Sequence, residues 1–215
     1  MMKNKFLILK FLTLFFFVNL AIGEESAITP QVLVRFNDEN RQKLMNKEVV
    51  YKYTEIKGKD GSENGYGEAA AIVAAPIDRC FTLFCDFNKH HLFFPRKKES
   101  KVVKTWENNA LVYKKFKVYF TTIAYTTLYT IHKDIYQVDF KLDTGYPHDI
   151  KSNAGYFKFD VIDENNTLVS FVLTKVETGL KVPAFIQKYI TSRDLPDVVD
   201  CIRKRIESGG TWVKD

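Results

Sequence analysis

The stretch that most constrains this chain is its carboxy-terminal end, Lys181 to Gly210. Apolar residues fall at Val182, Phe185, Ile186, Tyr189 and Ile190, and again at Leu195, Val198, Val199, Ile202 and Ile206. That i, i+3, i+4 spacing puts them on one stripe of a long amphipathic helix. Pro183 suits a first turn, where no amide donor is needed. Arg203, Lys204 and Arg205 suit the negative helix end, and Gly209-Gly210 supplies the stop. Pro196 falls inside the pattern. An internal proline forfeits a hydrogen bond and costs about 3 kcal/mol unless the helix bends, so the sequence predicts a kink, or a break across Thr191 to Asp194.

A helix with so wide an apolar side needs a broad surface to cover, and the preceding sequence supplies strands. They are expected over Lys101 to Trp106, Leu111 to Phe120, Thr122 to His132, Ile135 to Leu142, Gly155 to Ile162 and Leu168 to Val176. Turn-forming residues separate them, such as Glu107-Asn-Asn109 and Asp163-Glu-Asn-Asn166. Upstream, Asn37 to Asn46 reads as a capped first helix. Val49 to Ile56 and Glu68 to Ala74 read as a hairpin around Gly58 to Gly67. Ile77 to Cys85 has a helical period with Ile77, Phe81 and Phe84 inward, and Asn88 to Phe93 reads as a short turn stopped by Pro95.

Side chains two apart on a strand share a face. Ile123, Tyr125, Thr127, Tyr129 and Ile131 form one such set; Tyr136, Val138, Phe140 and Leu142 another; Phe157, Phe159 and Val161 a third. The opposite sides carry Lys114 or Lys117, Gln137, Asp139, Lys141, Lys158 and Asp160, as expected of a sheet wet on one face. The other face is left to meet the long helix.

The amino terminus has a different logic. Basic Met1 to Lys5, an apolar run from Phe11 to Val18, and Ala21-Ile22-Gly23 before Glu24-Glu25 have the order of a secretory signal peptide cut after Gly23. The apolar core is short for a membrane span. Cleavage leaves 192 residues, enough for one domain with a sizeable core, and the loss of three lysines takes the formal charge from +6 to +3. That scattered excess argues against a nucleic-acid partner and supports only a mild attraction to anionic surfaces.

Three cysteines, Cys80, Cys85 and Cys201, are too few for a disulfide scaffold. Cys201 could reach one of the others across a helix contact, but buried free thiols are the expected state. The histidines, His90, His91, His132 and His148, match no closed zinc pattern together with Cys85 and Asp86, so no metal or cofactor is expected. Glycine patterns for nucleotide phosphates and the serine-hydrolase elbow do not occur.

Val182 to Arg203, with its second proline at Pro196, resembles the closing helix of START domains. Ala71 to Pro95 resembles the strand, proline and helix of START-like and polyketide-cyclase-like proteins. The likeness covers about residues 40 to 208. It implies an α+β helix-grip fold, a strongly curved antiparallel sheet wrapped around the carboxy-terminal helix, with a tunnel between them for an apolar ligand. The expected organisation is a signal peptide (1–23), a linker (24–36), one START-like domain (37–210) and a short tail (211–215). The resemblance raises Tyr125, Tyr129, Phe140, Phe157, Phe159, Phe185 and Tyr189 from core candidates to tunnel lining. No buried acid and arginine pair of the kind some sterol-binding members use is evident, so sterol specificity is not carried over.

The resulting expectation is a monomeric, exported carrier, secreted or periplasmic, that binds a lipid or another hydrophobic molecule without chemistry of its own. Transient membrane contact accompanies loading, and Thr144 to Ala154 is the expected gate. The alternative is a cyclase or aromatase-type enzyme holding a hydrophobic polyketide-like substrate in the same cavity. Amino-terminal sequencing of the mature protein is expected to begin at Glu24; intact Met1 in an extracellular or periplasmic fraction would contradict export by cleavage.

Overall fold

The computed structural model describes residues 30–57, 63–118, 120–177 and 184–215. Helix α1 (Asp38–Met45) is capped as its sequence implies, the Asn37 side chain accepting from the Asn40 amide at 2.9 Å. Strands β1 (Val50–Lys57) and β2 (Glu63–Val73) form the first hairpin. Helix α2 (Ile77–Phe84) and the short α3 (His90–Phe93) follow, joined through a single 3-10 turn at Phe87–Lys89. The antiparallel run comprises β3 (Lys97–Trp106), β4 (Asn109–Val118), β5 (Thr121–His132), β6 (Gln137–Leu142), β7 (Ser152–Val161) and β8 (Thr167–Glu177). Helix α4 (Ala184–Glu207) closes the chain.

All eight strands make one antiparallel sheet in the order β1-β2-β8-β7-β6-β5-β4-β3. Each strand from β3 onward lies beside its sequence neighbour, and β8 returns to pair with β2. Register shifts at Gly65/Gly67, Lys97/Glu99, Val102/Lys104 and Ala154/Gly155 bend their strands and add twist, curving the sheet toward α4. Two of these places need glycine for space. A Cβ at Gly155 would lie 2.1 Å from the Val172 carbonyl oxygen, and one at Gly67 would lie 2.7 Å from Leu195 Cδ1, where α4 comes down on β2.

The main core lies between the concave sheet face and the helices. Leu195, Val198, Val199, Ile202 and Ile206 of α4 are buried against it, as the apolar period requires. Phe81 and Phe84 of α2 wedge into the same layer.

Several expectations need correction. Of the kink or break expected around Pro196, the break does not occur: helix α4 runs unbroken through Pro196, with no interruption at Thr191 to Asp194. The described part of the expected linker is packed rather than free: Leu33 is fully buried with Leu44, Val50, Ala70, Ile72 and Leu168. Residues 31–45 thus cover part of the outer sheet face, which is therefore not wet throughout. Ile135, expected to begin a strand, ends a 3-10 turn, and Tyr136 takes a left-handed conformation with φ 50° before β6 starts at Gln137. The expected signal peptide lies outside the described residues.

Ile202, 1% exposed, sits beneath α4 in closed core. Ile202→Ala is expected to lower unfolding free energy by about 3 kcal/mol through lost burial and a residual cavity. Phe120→Ala, at a fully exposed site, is expected to change it by less than about 0.5 kcal/mol. Thermal unfolding of both variants checks the pair.

Candidate ligand cavity

Toward one end of the concave face the sheet and α4 separate around a cavity of about 210 Å³. Aromatic residues at alternate strand positions make its floor: Phe116 of β4, Tyr125 and Tyr129 of β5, Phe140 of β6, Phe157 of β7 and Phe171 of β8. Leu195 and Val198 of α4 form the roof, with Leu173 and Val176 at one side and Phe94 and Pro95 at the other. The floor is rigid because its rings pack on one another. Phe157 and Phe171 stack at 4.6 Å, Phe116 and Tyr125 at 5.6 Å, and Tyr129 stacks on Phe87 at 4.4 Å.

Of the residues expected to line a tunnel, Tyr125, Tyr129, Phe140 and Phe157 come together here. Phe159 does not. It packs edge-on to Phe81 and against Phe84 in the closed core, one strand step beyond the opening. Phe185 and Tyr189 belong to α4, but their side chains lie outside the described residues.

Among the lining residues that the sequence did not single out, two are buried lysines. Lys97 and Lys114 are 1% and 4% exposed, and both line the cavity. Lys114 or Lys117 was expected on the solvent side; Lys117 is exposed, whereas Lys114 shares its face with buried Val112 and with Phe116. Strand alternation held the signal; its charge argued the other way. Lys97 had no such signal, because β3 begins four residues before its expected start and carries two register shifts.

The Lys97 ammonium lies 3.9 Å from the Phe94 ring centre, and that of Lys114 lies 4.7 Å from Tyr129 and 5.6 Å from Tyr125. Among the described residues no carboxylate pairs with either. Burial pushes Lys114 down to about 7, and burial, followed by the charges of Lys114 and Lys214, holds Lys97 well below the usual lysine range.

The rim is polar. Arg96 holds a left-handed backbone with φ 57°, and its Nε donates to Asp194 of α4 at 2.9 Å. Burial raises the Asp194 carboxyl, with Arg96 acting against that shift. An acid and arginine pair, unforeseen from the sequence, therefore ties the α3–β3 turn to the helix, although 28% of each side chain stays exposed. Asn153 donates to the Tyr125 hydroxyl at 3.2 Å. The expected gate is anchored at its middle: Asp149 accepts from the Ala124 amide at 2.7 Å and Ile150 is buried.

The histidines and thiols stand apart from the cavity lining. His90 is fully buried and its Nε2 donates to the Phe84 carbonyl at 2.7 Å, while burial and then the Lys97 charge hold its imidazole well below the ordinary range. His148 Nδ1 donates to the Ile150 carbonyl at 2.8 Å. Burial pushes Cys80 and Cys201 up to about 11 and Cys85 up to about 12, so all three free thiols stay protonated at neutral pH. No metal-holding cluster of His, Cys, Asp or Glu occurs among the described residues.

The buried lysines make stability depend on pH in a defined direction. Lys114 titrates near 7 when folded but near the ordinary lysine value of about 10.4 when unfolded, so between these the unfolded chain binds more protons. Stability therefore rises as pH increases from about 7 toward 10. The ligand-free protein is expected to show this rise in urea midpoint, and Lys114→Met is expected to be more stable at pH 7 with a shallower slope. A midpoint unchanged by the substitution would show the ammonium to be well solvated.

No family model and no curated protein sequence matches the chain. Solved structures do. A STAR-related lipid transfer protein of Xanthomonas axonopodis superposes with TM-score 0.57 at 12% identity, over 72% of this chain and 98% of that one. The Zhui aromatase/cyclase of Streptomyces sp. R1128 gives 0.56 at 12% identity, over 74% and 94%. A START superfamily protein of Mycobacterium smegmatis gives 0.55 at 15% identity, over 74% and 97%. The sheet order, the closing helix and these superpositions together show that the chain has the START-like helix-grip fold.

Proposed function

We propose that the protein is an exported carrier that binds a lipid or another hydrophobic molecule non-covalently between its sheet and α4. The observation carrying this reading is the cavity itself, walled by Phe140, Phe157, Phe171, Leu173, Leu195 and Val198 and placed where sheet and helix part. Keeping a chain out of water is worth about 0.8 kcal/mol per buried methylene, so such a space offsets the loss of that chain from a membrane. Its volume of about 210 Å³ is below the roughly 300–1,000 Å³ usual for drug-sized ligands. It therefore matches one end of an acyl chain better than a folded polycyclic molecule.

Loading requires contact with a membrane or another donor. The β4–β5 turn supports membrane contact: Phe120 is 100% exposed at its tip, and Phe116 and Tyr125 on the same hairpin line the cavity. Export rests on the basic, apolar and small-residue order of residues 1–23.

One observation favours the enzymatic alternative. Lys114, titrating near 7 inside an apolar cavity, is suited to exchange a proton with a bound polyketide-like substrate. Turnover of a poly-β-ketone that is lost in Lys114→Met, with binding kept, would favour cyclisation over carriage.

Mass spectrometry of organic extracts from natively purified protein is expected to find a hydrophobic molecule at near-stoichiometric amount. The neutral dye Nile red is expected to bind the emptied protein, with affinity falling about tenfold in Phe157→Ala, which removes the ring at the cavity floor. Equal dye binding by wild type and variant would remove this cavity from the site.

A further inference from the structure

The cavity is apolar over most of its wall, yet its polar groups are nearly all donors. The Lys97 and Lys114 ammonium groups and the phenols Tyr125 and Tyr129 line it together. Among the described residues no acceptor takes a hydrogen bond from either ammonium, and none takes the hydroxyl proton of either tyrosine. Burial keeps both phenols protonated, so each has a proton to give. Tyr125 already accepts from Asn153, which leaves its own O–H pointing to a further acceptor. The carboxylate that lines the cavity, Asp194, is engaged by Arg96.

Ring faces alone do not offset the cost of burying two lysines. Cation–π contacts contribute up to about 2 kcal/mol each when desolvated, against several kcal/mol per buried ion. An anion seated between the two ammonium groups supplies the missing partner, and the phenols complete its hydrogen bonds.

We propose that the ligand is an acidic amphiphile, a hydrophobic chain ending in a carboxylate or phosphate monoester, bound with its oxyanion between Lys97 and Lys114. This rests on the carrier reading and specifies its cargo. The anionic head lies at the β3–β4 end of the cavity, beside Phe94 and Tyr129, while the chain runs along Phe140, Phe157 and the Leu195–Val198 roof. Binding also holds protons on the lysines, so the acid carries its own neutralisation into the site. The other ionisable groups around them are His90 on α3, Asp194 with Arg96 at the rim, and Lys214, whose Nζ donates to the Lys97 carbonyl at 2.6 Å.

Displacement of Nile red from the full chain by dodecanoate, dodecyl phosphate, dodecanol and methyl dodecanoate tests the inference. At least one acid is expected to compete about tenfold or more tightly than both neutral ligands at pH 7, with the advantage shrinking toward pH 9 as the lysines lose their protons. The tighter of the two acids names the head group. Lys97→Met and Lys114→Met are expected to keep dye and dodecanol binding while losing the acid preference. Equal competition by acid and alcohol in the wild type, or a preference surviving in both variants, overturns the acidic cargo and leaves the carrier reading standing. Failure of every amphiphile to compete overturns both.

Discussion

The structure depends on one contact, the apolar stripe of α4 against the concave face of the eight-stranded sheet. Without the helix, Phe140, Phe157, Phe171 and the neighbouring aliphatic side chains would face water across the middle of the sheet. At about 25 cal/mol per Å² of apolar surface, that exposure is a large fraction of a domain's marginal stability. The contact is close where Gly67 admits Leu195 and where Val199, Ile202 and Ile206 are fully covered. Beside Leu195 and Val198 the cavity lies between the helix and the sheet.

The cavity is where the molecule departs from the rule that charge stays outside. Lys97 and Lys114 face rings rather than carboxylates, and their ammonium groups are pushed toward neutrality by burial. A fold selected only for stability has no use for such residues, since a methionine at either place would pack without a desolvation cost. Their position at the cavity wall makes them the strongest chemical statement the site contains.

The structural neighbours include both a lipid transfer protein and an aromatase/cyclase at 12% identity, so the shared architecture cannot select between carriage and catalysis. The chemistry to be weighed is that of this chain's own groups at and beside the cavity. These are the Arg96–Asp194 pair, the donor cluster and the exposed Phe120 turn.

Periodicity alone determined the element order. The i, i+3, i+4 stripe of the last helix from Leu195 to Ile206, the alternation of β5 to β7, and the cap at Asn37 are local consequences of backbone geometry, and they survive in the folded chain. The same alternation marked Tyr125, Tyr129, Phe140 and Phe157 as inward-facing. It could not separate cavity from closed core, because Phe157 and Phe159 share one face of one strand and differ only in what α2 and α4 place above them. Pro196 shows the converse: a local rule asked for a kink or a break, and the helix is continuous there, with Leu195, Val198 and Val199 packed on the sheet. Lys114 was legible from its parity with Val112, whereas Lys97 was not, since bulges in β3 erase the period there. Which inward residues meet an empty space rather than another side chain is set by contacts between elements far apart in the chain, and only the tertiary structure decides that.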